Sequence, residues 1–452
     1  MKKKSKWLIM LALGVLIALI CNGQAVAVEY TWEELCRMAL ERSEKIKIME
    51  DNVSIARTGK DKKMSALLPK LTAYGSYTDW TETKYSSASV FTPTIVVPGT
   101  VIQPNSGTAW GVRLDQSITL NGKEITDFAI SKDNIERQQN ETNAQKEEYL
   151  MIVSAAYYEM LRAQKVLEIA NATVERLTAY RKAAENRLKV GEVTKTVLLR
   201  ADGELSGALS DQIKAKNALD LSRAVLARIV GISEDFTLKE NFLEDAPLPP
   251  LDSYVNTGLA QRAEMKAIEI EKQMAKDQIR VAKGGYWPIL SISGVYGGMD
   301  QDPVPSTINR ESAYGQVALN YPFFEGGLRR AEVKEAMIRD RQAGLRMEDL
   351  KKTIRIEVET TYLELKNQRG IIKSLEDQLL FSRENYKAVT RQFEMGLANS
   401  IDVMDANTLL VSTERQLTTA VYSHQVFKFR MKRATGVLLT EFAGNAQAAK
   451  AP

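Results

Sequence analysis

Few residues in this chain could carry out chemistry on a bound molecule. His424 is its only histidine, and a zinc site needs several nitrogen, sulfur or carboxylate ligands at fixed spacing. No serine or cysteine stands in a pattern that would let a histidine activate it as a nucleophile. The pairs Gly284-Gly285 and Gly326-Gly327 lack the context of a phosphate-binding loop. We therefore predict no catalytic residue, no metal site, no cofactor and no enzyme activity.

His424 fits a structural position better than a chemical one. It continues a series spaced by seven residues that contains Leu410, Leu417 and Met431. Such a series forms the seam of a coiled coil. We interpret His424 as a seam residue.

Residues 1–27 have the composition of a secretory leader. Lysines crowd the first six positions, an apolar stretch follows, and the small residues Ala25 and Ala27 provide a cleavage site. Without these lysines the formal net charge of +4 falls close to zero. The basic balance therefore gives no reason to expect nucleic acid as a partner.

The remaining chain offers no helix for crossing a membrane, because no later stretch has about 18 consecutive apolar residues. It keeps one cysteine, Cys36, so an exported protein of this sequence must be stabilised by packing or assembly. A membrane role would have to use strands.

The strongest feature of the chain is a repeat at a spacing of 205 residues. A register kept over more than a hundred residues predicts two copies of one structural unit. Equivalent pairs include Leu114 and Leu319, Val153 and Val358, Gly191 and Gly396, Ala201 and Ala406, and Gly231 and Gly436.

Each copy is predicted to run helix, strand, loop, strand, very long helix, tip and long helix. Thr31 and Glu34 form a capping box that begins the first helix, which we expect to continue to about Ala66. Phe236–Leu238, between the copies, is a candidate short strand. Loosely alternating stretches with aromatic ends are typical of membrane-barrel strands, although each signal is weak. These stretches are 71–77 and 290–296, with partner strands ending in 114–118 and 319–323.

The long helices carry apolar seams that recur every seven residues. Such seams predict left-handed coiled coils, and a helix from Gly122 to Val190 would be about 100 Å long. Both hairpins are expected to turn at glycine, at Gly191 and Gly396. The seams are Val153, Met160, Leu167 and Val174 in the first copy and Val358, Leu365, Ile372, Leu379, Tyr386 and Phe393 in the second.

Four strands cannot close a membrane barrel, since the smallest have about eight. An open edge in lipid would leave backbone groups unpaired at a cost of several kcal/mol each. Several copies of the chain must therefore share one barrel. This argument favours a cyclic oligomer but does not choose the number of copies. Helices far longer than a membrane is thick must extend into water, so barrel and helices together would form a conduit.

This duplicated pattern resembles the TolC-like outer-membrane efflux proteins, or outer-membrane factors. Three segments carry the resemblance: Tyr321–Ala331, Arg187–Ala201 and Gln392–Ala406. The resemblance implies an α+β fold with a duplicated unit in a trimer. Each protomer would give four transmembrane β-strands to a shared twelve-stranded barrel and its helices to a long α-helical coiled-coil barrel.

The resemblance also implies location and partners. The chain would lie in the outer membrane of a Gram-negative-type cell, with most of its mass in the periplasm. Its partners would be two further copies, a periplasmic adaptor (membrane fusion) protein, an inner-membrane transporter and outer-membrane lipid. It would be the passive exit duct of a tripartite efflux or type I secretion system.

Two acidic residues near the second tip, Asp402 and Asp405, are implied as the pore constriction. Three-fold repetition would place six carboxylates around a narrow opening and favour cations. The alternative is a solvated helix face. The family often locks its closed tip with polar residues, but the corresponding positions here hold Val197, Phe393 and Ala398. These three side chains do not provide the polar groups of that lock. Phe393 is a candidate apolar gate, with a plain seam role as its alternative.

The tips themselves are candidates for adaptor docking, because they lie farthest from the membrane and have few partners of their own. An ordinary helical turn is the alternative interpretation. The docking candidates are Val190, Gly191, Glu192, Met395, Gly396 and Leu397.

The predicted organisation has five parts. The parts are the leader 1–27, a first repeat 28–231, a linker 232–251, a second repeat 252–440 and a short C-terminal tail 441–452.

The competing function is a periplasmic coiled-coil structural or adhesion protein without a pore. It explains the seams but leaves the four strands without a purpose.

Overall fold

The computed structural model describes residues 28–92, 95–97, 99–243, 245, 247–305 and 309–448. The predicted leader lies outside these residues. The helices are α1 (Trp32–Arg42), α2 (Glu44–Ser65), α3 (Lys123–Lys189), α4 (Lys195–Val230), α5 (Leu251–Gln261), α6 (Ala263–Gly284), α7 (Leu328–Glu394), α8 (Ser400–Ala434) and α9 (Leu438–Ala448). The strands are β1 (Val28–Tyr30), β2 (Lys70–Asp79), β3 (Lys84–Tyr85), β4 (Ser89–Thr92), β5 (Ile95–Val97), β6 (Val101–Gln103), β7 (Ser106–Thr119), β8 (Phe236–Leu238), β9 (Ile289–Asp302) and β10 (Glu311–Asn320).

The element lengths confirm the predicted duplication. Helices α1 and α5 each have 11 residues, and α2 and α6 each have 22. Helices α3 and α7 each have 67 residues, while α4 and α8 have 36 and 35. The α+β fold class with a duplicated unit is confirmed.

The first helix of each copy is broken, so the single helix expected from Thr31 to Ala66 is wrong. The capping box at Thr31 is present, but Ser43 turns to an extended backbone with ψ 123°. Arg262 does the same in the second copy with ψ 132°. The residues on either side of each break are helix formers. The break depends on the ψ angle of Ser43 in one copy and of Arg262 in the other, and hydrophobic periodicity does not encode these angles.

The main sheet contains four antiparallel strands in the order β10-β9-β7-β2. Each hairpin supplies two adjacent strands, and β7 pairs with β9 to join the copies. Strand β10 ends at Asn320, so the expected extension to Phe323 is wrong. Pro322 follows, and proline has no N–H to continue the ladder.

The described chain divides into two compact units. Unit 1 takes its described residues from 28–44, 146–254 and 357–448, and unit 2 takes its own from 45–145 and 255–356. Each unit therefore contains parts of both repeats: the helical hairpin ends belong to unit 1 and the main sheet to unit 2. None of the described helices is long and apolar enough to cross a membrane.

Of the predicted seam residues, unit 1 buries Val153, Met160, Val358, Leu365 and Phe393, while Leu167, Val174, Ile372, Leu379 and Tyr386 are half-buried. Val153 and Met160 belong to an aromatic core that includes Trp32, Tyr157, Tyr158 and Phe429. The predicted strand Phe236–Leu238 is confirmed and pairs in parallel with β1. Residues beside these seams are also buried: Ala163, Ala170, Leu177 and Ala184 in α3, and Thr361 and Ser382 in α7.

Candidate functional site

Each long hairpin reverses direction at a glycine with a left-handed backbone. Gly191 follows α3 with φ +75°, and Gly396 follows α7 with φ +78°. A side chain is strained in this conformation. The predicted turns are therefore confirmed at both tips.

The predicted docking residues are open to solvent in this chain. The side chains of Val190, Met395 and Leu397 are 70%, 72% and 77% exposed. Glu192 is also exposed, and its carboxylate accepts a hydrogen bond from Arg187 Nε at 2.9 Å. The tips thus present uncovered apolar side chains beside a carboxylate, and docking there stays a prediction.

Phe393 connects the ends of the two hairpins. Its side chain is 3% exposed and packs against Tyr180 of α3, with ring centroids 5.1 Å apart. The Arg187 guanidinium lies 4.8 Å from the Phe393 ring, and Nη1 donates to the Phe393 carbonyl at 2.6 Å. Sequence reasoning missed Arg187. A comparison of the copies marks the position as different, because the equivalent residue is Gln392, but it does not indicate the contact with Phe393.

The positions without a polar lock share one apolar cluster. Val197 and Ala398 both pack against the buried cluster that contains Phe393. The cluster supplies apolar packing where the resembled family often uses hydrogen bonds. A gating role for Phe393 stays a prediction.

Asp402 has a structural role at the start of α8. Its carboxylate accepts a hydrogen bond from the Asn399 N–H at 3.0 Å, and the Asn399 side chain accepts from the Asp402 N–H at 3.0 Å. This capping box satisfies backbone donors of the first turn. Asp402 and Asp405 are both exposed, and residues three apart lie on neighbouring positions of a helix surface. Their role as a pore constriction stays a prediction.

The main sheet has two chemically different faces. Directly opposed residues share a face, so the register places Leu71, Leu114, Gly294 and Gly315 together, with every second residue along each strand. The charged residues of this face are Asp79, Asp300, Asp302 and Glu311, and all four lie toward the end of the sheet where β2 and β9 end and β10 begins. Its large apolar members are Leu71, Tyr77, Trp110, Val112, Leu114, Ile118, Leu290, Ile292, Tyr296, Val317 and Leu319.

The other face is mostly polar. Both outer strands, β2 and β10, have only one main-chain neighbour among the described residues. The sheet therefore has an exposed apolar face and two open edges, a combination that water alone does not stabilise. The polar face includes Lys70, Thr72, Tyr74, Ser76, Arg113, Asp115, Ser117, Ser291, Ser293, Ser312, Tyr314, Gln316 and Asn320.

His424 is 3% exposed, which confirms its predicted seam position. Its Nε2 lies 3.0 Å from Oδ1 of Asp245, which belongs to the linker between the copies. Lys428 of α8 and Arg369 of α7 also face this carboxylate. Nδ1 of His424 is buried without a hydrogen-bond partner among the described residues. The linker is thus attached to α8 through a carboxylate facing three basic side chains.

This arrangement predicts a loss of stability in mild acid. Burial lowers the pKa of His424, although Asp245 partly opposes the shift. The unfolded chain then binds a proton more readily than the folded one, so stability falls as pH drops below about 6.5. Burial acts to raise the pKa of Asp245, but hydrogen bonds from Lys428 and His424 lower it to about 2. Asp245 therefore does not titrate in this range.

We expect the midpoint of thermal unfolding to fall by a few degrees between pH 7.5 and pH 5 because of His424. Circular dichroism of the purified protein measures it. The matched control is His424→Gln, which can still bond Asp245 but does not titrate. Equal pH dependence in both proteins would exclude His424 as the cause.

Comparison with known proteins supports one family. Residues 35–232 and 255–437 match the family described as outer membrane efflux protein. The chain is 23% identical over 320 residues to the outer membrane protein TolC of Vibrio cholerae serotype O1, covering 68% of this chain and 73% of the relative. It is 20% identical over 399 residues to the outer membrane efflux protein BepC of Brucella suis biovar 1, covering 88% and 82%.

The fold is similar to a solved structure. The outer membrane protein VceC of Vibrio cholerae superposes with a TM-score of 0.77 at 16% identity, covering 90% of this chain and 96% of that one. The family match spans most of both repeats, and the family consists of outer-membrane channel proteins. The chain therefore belongs to the outer membrane efflux protein family.

Proposed function

We propose that three copies of this chain form a passive exit duct through the outer membrane. A periplasmic adaptor protein would join the duct to an inner-membrane transporter, in a tripartite efflux or type I secretion system. The duct has no catalytic role, so the driving force comes from these partners. The sheets of three copies form a twelve-stranded barrel in lipid, and the helical hairpins form a periplasmic tunnel.

The two-faced sheet with open edges is the observation that carries this proposal. A largely apolar face suits lipid, while a polar face suits a water-filled interior. Strands alternate in direction across the sheet, so β10 of one copy runs antiparallel to β2 of the next. Pairing these edges would satisfy backbone groups that lipid cannot.

The duplication also supports a specific contact between copies. Within the chain, Tyr158 of α3 packs against Phe429 of α8, with ring centroids 5.7 Å apart. The repeat places Leu363 of α7 at the position of Tyr158 and Ala224 of α4 at that of Phe429. Leu363 is exposed here. We infer that α7 of one copy packs against α4 of the next, as α3 packs against α8.

Helix α4 carries the apolar surface that this contact requires. Four large apolar residues spaced by four or eight positions are exposed along it, although exposed stripes of this kind are unfavourable in water. The neighbouring copy would cover this stripe, which we call the α4 stripe. It consists of Leu209, Ile213, Leu221 and Val225.

Three-fold assembly would also complete the predicted tip sites. Asp402 and Asp405 would form a ring of six carboxylates at the entrance. The exposed apolar tip residues Val190, Met395 and Leu397 would bind the adaptor, since each lies at a hairpin turn and is open to solvent.

The proposal is tested by purifying the mature protein from outer membranes in detergent. We expect a trimer that dissociates only on heating in dodecyl sulfate and that inserts conducting channels into planar lipid bilayers. Recovery without detergent as a soluble, non-conducting species would refute the duct. That outcome would favour the competing coiled-coil structural or adhesion protein.

A further inference from the structure

The polar face of the main sheet carries an uneven distribution of charge. All residues of the four strands are described, and this face contains three charged ones: Lys70, Arg113 and Asp115. Lys70 is directly opposite Asp115, and Arg113 is the next residue of β7 on the same face. The three charges therefore lie at one level of the sheet.

One positive charge remains unbalanced at this level. Arg113 Nε contacts Asp115 Oδ1 at 2.8 Å, so the single carboxylate is engaged by the guanidinium. Lys70 is exposed and adds a second cation beside this pair. By contrast, the acidic residues of the apolar face, Asp79, Asp300, Asp302 and Glu311, all lie near its far end. They do not neutralise the cations on the polar face.

We propose that Lys70 and Arg113 form a basic ring inside the barrel that biases the duct toward anions. The inference rests on the proposed duct, because assembly of three copies places the polar faces around one water-filled interior. A wall with low dielectric constant on its outer side strengthens the potential inside. This ring would act on small ions and on acidic parts of an exported molecule.

The ring acts in the opposite sense to the predicted tip acids. The carboxylates of Asp402 and Asp405 favour cations at the entrance, whereas the basic ring favours anions within the barrel. The two effects must be measured separately. A solvated pair of cations without influence on permeation is the competing explanation for Lys70 and Arg113.

The test is the reversal potential of single channels in a potassium chloride gradient. Lys70→Gln with Arg113→Gln should raise the cation-to-anion permeability ratio roughly twofold or more at 10 mM salt. The change should shrink at 1 M salt, where the screening length falls to about 3 Å. Asp115→Asn should lower the ratio. Lys45→Gln with Lys47→Gln removes two exposed cations of α2 and is the matched control.

Each variant is measured in the native background and with Asp402→Asn and Asp405→Asn, so that the entrance acids do not mask the ring. Heat-dissociable trimers confirm assembly. If the double variant does not assemble, Lys70→Gln alone provides the test. If the channels conduct but the cation-to-anion permeability ratio stays unchanged, or changes as it does in the control, the basic ring is refuted. Absence of channels in the native protein would instead refute the duct.

Discussion

Replacing both Ile213 and Leu221 by aspartate is expected to leave the protein as folded monomers. These side chains are 62% and 67% exposed in the single chain, so the substitutions do not disturb its own core. In the proposed trimer they are covered by α7 of the neighbouring copy. Burying unpaired carboxylates costs several kcal/mol, and about 4 kcal/mol already weakens association a thousandfold. Analytical ultracentrifugation in detergent measures the mass, and circular dichroism measures the helix content.

The matched control keeps the same positions apolar. Ile213→Leu with Leu221→Met changes shape but buries no charge, so we expect trimers. Trimers that survive both aspartates would show that the copies associate through another surface. This experiment therefore separates the α4 stripe from the sheet edges, which the substitutions leave intact.

Removal of the tip carboxylates is expected to weaken block by trivalent cations about tenfold or more. Asp402→Asn with Asp405→Asn deletes six charges from the proposed entrance, where closely spaced carboxylates attract multivalent ions most strongly. Asparagine is preferred to alanine, because its side-chain oxygen can still accept the hydrogen bond from the Asn399 N–H. The measurement is the blocking constant of hexaamminecobalt(III) in planar bilayers at low salt.

The control removes the same charge from the long helix. Glu376→Gln with Asp377→Asn alters two exposed acids of α7 away from the tip. Its blocking constant should stay close to that of the native protein. Equal weakening by both double variants would indicate a general surface effect and would rule out a local ring.

Seam positions such as Val153 and Leu365 were predictable because burial in a coiled coil repeats every seven residues along one segment. The turns at Gly191 and Gly396 were predictable for a similar reason, since a left-handed backbone favours glycine. The link between Arg187 and Phe393 was not predictable. It joins side chains 206 positions apart and depends on rotamers and on the packing of two hairpins.

The capping role of Asp402 illustrates a different limit. The sequence predicted the charge of Asp402 and its place near the tip. It did not indicate whether the carboxylate caps α8 or lines the proposed pore. Only the structure shows the oxygen bonded to the Asn399 backbone. The linker contact between Asp245 and His424 was also missed, because no local pattern indicates which helix an irregular segment will cross.

The sequence by itself determined the duplication, the helical seams and the family, because each depends on patterns repeated along the chain. Tertiary structure alone decided how the copies combine: β7 pairs with β9, and each compact unit takes segments from both repeats. It also decided that Val426 packs against the core while its counterpart Leu221 remains exposed. Equivalent residues differ in this way because α8 packs within the chain against the core that contains Tyr158 and Phe429, whereas the side of α4 that carries Leu221 is open.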